Sequence, residues 1–297
     1  MAVDDDHGLW GALGATVSRP FIIWSMQRTG STSLAHLLMA LSEHEAAQHE
    51  PFNSGRQFGE ITDRWRADGD RARLRRDIAA ALETRPVIKH CYEIVPNLLN
   101  EFLLLESKAR GYAHIVLDRH DEVLRSISRE LAVKTSVWLK EKLQERPDLL
   151  EEDGEALSPI QLDDTLGWAN HCHKRKMWLA ERLRRARLSY YRVIYETLYS
   201  EQTDQKDELL KILRFLNIQD FTAEAFDDLV EEHVTSPAQA SKRYMNRIPN
   251  LEDAISTMTD FVAAHPSPFD EQGLRRSGAG DLVWLVKRRL QGMQRGR

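Results

Sequence analysis

Apolar positions fall in two alternating rhythms along the chain. Phe21, Ile22, Ile23 and Trp24 form a continuous apolar run, and Leu34, Leu37, Leu38 and Leu41 then recur at three- and four-residue spacing. The run predicts a buried strand and the spacing predicts the buried face of a helix. The alternation returns downstream. A strand end is expected at Ala47–His49, a loop at Pro51–Gly55, a helix over Arg71–Leu82 and a second core strand over Pro86–Ile88. A helix over Asn97–Ser107 then leads to a strand over Ala113–Leu117, and Val123, Leu124, Ile127 and Leu131 line one side of the next helix. A long amphipathic helix over Asp164–Arg187, a strand in LSYYRVIYETL and a helix in DELLKILRFLNI follow. Two further helices are expected over Leu251–Ala264 and Asp281–Arg289. Strands alternating with helices predict an α/β class, three layers with a central parallel sheet flanked by helices. On such sheets ligands sit beyond the carboxyl ends of the strands.

Composition narrows the picture. A chain of 297 residues with 42% hydrophobic residues buries a core of its own. The reading is a short N-terminal arm over residues 1–18 and a single domain over 19–297. Within it, the acidic stretch 139–163 suits a lid or an interaction segment, and 235–297 is expected as a nucleotide-covering loop and helices carrying Lys242 and Arg243. No apolar run approaches the roughly 18 residues of a membrane span. The opening MAVDDDHGLW carries three aspartates where a leader would be basic, so a cytoplasmic protein is expected. A net charge of -5 without a concentrated basic block argues against nucleic acid as partner. Arg64–Arg76 is interleaved with aspartates and reads as a solvated helix face. The two cysteines, Cys91 and Cys172, have no metal or redox spacing and read as reduced core thiols.

Candidate chemistry lies in the polar turns that follow strands. Gln27, Arg28, Thr29, Gly30, Ser31, Thr32 and Ser33 join the first strand to the first helix. Unpaired N–H groups and the helix dipole make such an end an anion cradle. Gly30 lets backbone approach the anion, Arg28 adds a fork of donors, and the serines and threonines add hydroxyls. A Walker loop would need a lysine before its Ser or Thr, and QRTGSTS has none.

QRTGSTS resembles the 5'-phosphosulfate loop of sulfotransferases, in the arginine form used by carbohydrate and bacterial members. DRHDEVLRSISRELAVKTSVW resembles the 3'-phosphate motif of the bacterial trehalose-sulfotransferase-like group, with Arg119, Asp121, Ser128, Ala132, Thr135 and Trp138 in register. His120 stands where many members have arginine, so Arg119 is the expected main ligand and His120 its partner. VIYETL is similar to the family's YEDL strand, and HEPFN to the acidic substrate-side motif of carbohydrate and nodulation-factor sulfotransferases. The resemblance implies a P-loop-like fold, 3'-phosphoadenosine-5'-phosphosulfate (PAPS) as co-substrate, adenosine 3',5'-bisphosphate (PAP) as product, and no metal. It implies an acceptor hydroxyl on a carbohydrate, glycolipid or secondary metabolite, and is compatible with a homodimer.

Sulfonate transfer needs a base, cations at the sulfonate and leaving oxygen, and exclusion of water. Glu50 is the expected base and substrate contact, with a pKa raised by an apolar setting beside Pro51 and Phe52. His90 is the rival base, although strand alternation turns it away if Lys89 points in. Arg28 and Lys89 form the expected electrophilic pair. Phe52 and Trp138 are expected at the acceptor. Two other readings remain open from sequence. One is a P-loop nucleotide kinase or NTPase, with His114–Asp118 as a Walker-B strand; the other is a non-catalytic nucleotide-binding module.

Overall fold

The computed structural model describes residues 18–138, 140–149, 155–200, 203–235 and 244–269. Strand β1 (Phe21–Ser25) leads to helix α1 (Ser31–Ala40), then α2 (Gly59–Asp68) and α3 (Arg71–Ala81). Strand β2 (Ile88–Cys91), helix α4 (Asn97–Ala109), strand β3 (Ala113–Asp118) and helix α5 (Glu122–Thr135) follow. Helix α6 (Leu162–Arg185) precedes strand β4 (Tyr191–Ile194), the single turn α7 (Tyr195–Leu198), α8 (Gln205–Leu216), α9 (Ala223–Val230) and α10 (Leu251–Ala264). The four strands lie in the order β2-β1-β3-β4, all parallel.

Alternation along β1 sorts the two apolar layers. Phe21 and Ile23 face α1 and α8, where Leu34, Leu37, Leu38, Leu209 and Leu213 are buried. Ile22 and Trp24 face the opposite layer of α3, α4 and α6, with Leu74, Leu99, Leu103 and Leu179. With both faces covered, the sheet is the middle of three layers, as the strand–helix rhythm predicts. From β1 the chain crosses to β2 on one side, then returns to place β3 on the other. That reversal makes the carboxyl ends of β1 and β3 the switch point of the sheet, the place where open α/β sheets form their ligand crevice.

Several boundaries differ from the sequence reading. The second core strand is Ile88–Cys91, not Pro86–Ile88, because pairing from Ile22↔Ile88 to Ser25↔Cys91 carries Lys89 and His90 into the sheet. The strand end expected at Ala47–His49 reduces to one isolated bridge between Ala46 and Val87. LSYYRVIYETL divides at Tyr195, where the strand ends and a helical turn begins. The Arg64–Arg76 stretch is two helices, broken at Gly69 in a left-handed conformation, and α9 was not foreseen.

The expected lid is partly packed. Leu143, Leu149 and Ile160 are buried with Ile127, Leu131, Tyr244 and Ala254 in a third cluster between α5 and α10. The N-terminal arm, Lys242 and Arg243, and the helix expected over Asp281–Arg289 lie outside the described residues. Among the described residues no helix is long and apolar enough to cross a membrane.

Candidate active site

The loop from Met26 to Gly30 is fixed from several sides. Gln27 N–H donates to Glu93 Oε1 at 2.7 Å, and Arg125 Nη1 reaches the Gln27 carbonyl at 3.4 Å. Thr29 Oγ1 donates to the Met26 carbonyl at 2.7 Å, so this hydroxyl shapes the turn. Arg28 is held at φ 66° and Gly30 at φ 75°. Left-handed backbone at a non-glycine residue persists only where its surroundings enforce it.

Gly30 has a packing reason besides its backbone. A Cβ there would lie 2.6 Å from Tyr199 Cε2 and 3.0 Å from the Tyr195 ring. Tyr199 Oη donates to the Gly30 carbonyl at 2.7 Å. The absent side chain therefore admits two tyrosines, where anion approach was the expected reason. Ser31 and Ser33 are buried in the first turn of α1, with Thr32 half-buried.

Across the crevice, Arg28, Ser128 and Arg119 come together. Arg28 Nε donates to Ser128 Oγ at 2.9 Å, and Arg28 Nη1 donates to the Trp138 carbonyl at 2.6 Å. Arg119 Nη1 donates to the Arg28 carbonyl at 2.9 Å, while its guanidinium carbon lies 4.3 Å from the centre of the Tyr195 ring. Arg119 is 4% exposed and its Nε, among the described residues, has no hydrogen-bond partner. Burial lowers the Arg28 pKa, and neighbouring Arg119 adds to the effect. Arg119 thus packs on the backbone of Arg28 while the Arg28 guanidinium reaches Ser128, so two cationic side chains meet at one loop, a setting that favours an anion. Trp138, expected at the acceptor, is 37% exposed beside Arg28. Glu196 accepts from the backbone N–H groups of His120 and Asp121 at 3.0 and 2.9 Å, at the start of α5.

A second cluster surrounds Glu50, itself at φ 52°. Lys89 and Glu50 form a buried ion pair. Cys91 Sγ lies 3.1 Å from Glu50 Oε1, and Asn53 Nδ2 donates to Glu50 Oε2 at 2.6 Å. His49 Nε2 stands 3.3 Å from both Glu50 Oε1 and Lys89 Nζ. Burial alone would raise the Glu50 pKa, but His49 and Lys89 outweigh it and hold the carboxyl well below the usual range. The raised pKa expected for Glu50 is therefore overturned: three donors and an ammonium stabilise the charged form.

Other expectations are corrected. His90 points to the opposite sheet face, buried against Trp24 and Phe52, with Nε2 2.6 Å from Asn100 Oδ1. Burial depresses its pKa to about 4. Phe52, expected at the acceptor, is fully buried against Phe58 and His90, because Thr62 Oγ1 bonds the Phe52 carbonyl and draws the turn inward.

Beneath the crevice runs a chain of buried charges. Lys176 on α6 lies 2.5 Å from both Asp118 and Glu122, and Arg125 Nε donates to Glu122 at 2.8 Å. Burial would raise the Glu122 pKa, yet Arg125 and Lys176 bring it down to about 2. Burial raises Glu93, an effect that the Gln27 N–H and Arg125 only partly offset.

Sequence reasoning missed His49, Glu93, Arg125 and Glu196 as parts of this region. His49 adjoins the motif glutamate and Glu196 lies in the YE pair, so position alone could have raised both. Nothing local marks Glu93 or Arg125. A separate cavity of about 560 Å³, lined by Arg71, Arg75, Phe102 and Glu106 between α3 and α4, holds none of these groups. Among the described residues, no group of three or more His, Cys, Asp or Glu is arranged to hold a metal ion.

Neither a protein-family profile nor a curated protein sequence matches the chain. Among solved structures it is similar to the sulfotransferase domain of the olefin synthase of Synechococcus PCC 7002. The identity is 17%, over 94% of this chain and 97% of that one, with a TM-score of 0.37.

Proposed function

We propose that this chain is a sulfotransferase moving a sulfonate from PAPS to a hydroxyl of a carbohydrate, glycolipid or secondary metabolite. The observation that carries the reading is the convergence of Arg28, Arg119 and Ser128 at one crevice between β1 and β3. Two polar corners of a parallel sheet thereby face one another, as a nucleotide phosphorylated at both its 5' and 3' positions requires. Arg119 Nε, buried and without a hydrogen-bond partner among the described residues, fits an anionic ligand there. When bound, PAPS supplies the activated sulfonate; the residues supply everything else.

The loop N–H groups and Arg28 hold the 5' end, and Arg119 with Ser128 holds the 3'-phosphate. Lys89 and Arg28 neutralise charge developing on the leaving oxygen. The partners of Glu50 change the assignment of the base, since Lys89, Asn53 and Cys91 already occupy its carboxylate oxygens. A carboxylate so firmly ionised accepts a proton poorly at neutral pH, whereas His49 lies beside it and is partly open to solvent. In the proposed arrangement His49 takes the acceptor proton at Nδ1. Its Nε2–H turns to Glu50, which stabilises the imidazolium that forms. Glu50 keeps the place the motif gives it, as the counter-ion of the proton-accepting ring.

Kinase and NTPase readings lack the loop lysine that would reach terminal phosphates. A purely binding role leaves the His49–Glu50–Lys89 cluster without purpose. Thermal shift separates the readings. PAP without magnesium should raise Tm, by about 3 kcal/mol of stabilisation at a hundredfold excess over Kd, while ATP with magnesium should not. The reverse result would favour the kinase. His49→Gln should retain PAP affinity and lose about 10² to 10⁴ in kcat; full activity would return the proton to Glu50.

A further inference from the structure

We propose that Glu196 sets how strongly this crevice favours a nucleotide bearing a 3'-phosphate, by standing as an internal carboxylate beside the position the phosphate takes. The inference rests on the nucleotide reading above.

Glu196 is held by the two residues that lead into α5. It accepts from His120 N–H at 3.0 Å and Asp121 N–H at 2.9 Å, the end of a helix where partial positive charge collects. Its Oε1 lies 3.8 Å from Arg119 Nε, beyond hydrogen-bond reach. The carboxylate thus offsets the charge of Arg119 without satisfying its Nε–H, which is buried and has no hydrogen-bond partner among the described residues. The Glu196 side chain is 31% exposed, against 5% for that of Arg119, so its charge is partly solvated.

Arg119 does not depend on Glu196 for its placement. Its Nη1 is anchored on the Arg28 carbonyl and its plane on the Tyr195 ring. Removing the charge of Glu196 therefore leaves the phosphate ligand in position and raises the local positive potential. A 3'-phosphate gains from that change. A nucleotide without one, reaching only the Arg28 loop, does not.

The consequence is a tuned affinity. A doubly phosphorylated product held by two arginines and two helix ends would leave slowly, and a fixed negative charge at its 3' corner speeds its release. Glu196 is a specificity-determining residue in this sense, not a catalytic one.

The test compares PAP with adenosine 5'-monophosphate by isothermal titration at low salt, in the wild type and in Glu196→Gln. The glutamine keeps the shape and an acceptor for the α5 N–H groups while losing the charge. The ratio of PAP to monophosphate affinity should rise about tenfold, with the monophosphate affinity changed by less than about twofold. Should this variant not fold, PAP and monophosphate binding to the wild type across a salt series carries the same test, since a charge effect at Glu196 fades with screening in the ratio of the two affinities. An unchanged or lower ratio overturns the role of Glu196 while leaving the nucleotide reading intact. Failure of the wild type to bind PAP overturns both, and shows itself before any variant is made.

Discussion

At the scale of single residues Lys89 and Glu50 are coupled, because Lys89 is buried, Glu50 is only 15% exposed, and each is the other's counter-ion. Lys89→Met leaves a carboxylate inside the fold without its ammonium, and breaking such a pair costs about 3 to 5 kcal/mol. The double variant Lys89→Met with Glu50→Gln should recover much of that loss, which urea unfolding of the single and double variants measures. Two buried imidazoles add a pH dependence. His114 Nδ1 accepts from Trp24 Nε1 at 3.0 Å, and burial depresses the pKa of His114, like that of His90, to about 4. In the unfolded chain each returns to about 6.5, so the unfolded state binds protons first as pH falls. Stability from each is fully present above about 6.5 and is lost toward pH 4, up to about 3 kcal/mol apiece. Glu50 adds to the loss only below its unfolded value of about 4.3. Thermal melts at pH 7.5, 6 and 5 should show Tm falling with acid, and His114→Asn, which does not titrate, should flatten that fall.

At the scale of elements, α5 carries Ser128 and Arg125, and its start is built twice over. Asp121 Oδ1 caps the Leu124 N–H at 2.9 Å while Glu196 covers the two preceding N–H groups. Asp121→Ala should therefore cost about 1 kcal/mol, read from Tm, and less than an N-cap standing alone. The β1–α1 turn is less forgiving. Gly30→Ala sets a side chain at positive φ against Tyr199 and should destabilise by about 2 kcal/mol or more. These elements were legible in the chain to different degrees, for physical reasons. Helices such as α3, α4 and α10 declare themselves because one face meets the core at regular spacing. β2 was displaced because half of its residues, Lys89 and His90, are polar yet buried, so apolar patterning stopped one residue into the strand. Arg28, Arg119 and Ser128 were readable from strand-end position and motif. The depressed Glu50 pKa was not, because it depends on which way Lys89 points from a strand whose register only the sheet fixes. Glu93 and Arg125 were invisible for the same reason: their partner, Gln27, is local to neither of them.

At the scale of the whole molecule, the crevice rests on a lattice of charge that ties three elements beneath it. Lys176 of α6 joins Asp118 at the end of β3 to Glu122 at the start of α5, and Arg125 continues from Glu122 to the Gln27 carbonyl. Asp118 also accepts from Ser267 Oγ at 2.6 Å, so the segment after α10 closes onto the same strand end. A buried lysine between two carboxylates cannot be removed cheaply, since its loss leaves the buried Asp118 and the partly buried Glu122 as like charges without their shared cation. Lys176→Met should lower unfolding free energy by about 3 to 5 kcal/mol, measured in urea. The same variant tests whether the lattice shapes the site as well as supporting it. Repulsion between Asp118 and Glu122 would shift the first turn of α5, where Arg125 originates, and loosen the Gln27 peptide that precedes the strained Arg28. PAP affinity, measured well below the variant's Tm, should then fall about tenfold or more, since each 1.4 kcal/mol lost from positioning is a factor of ten. If stability falls while PAP affinity holds, the lattice supports the fold only, and the loop's conformation must come from Glu93 and the tyrosines packed on Gly30.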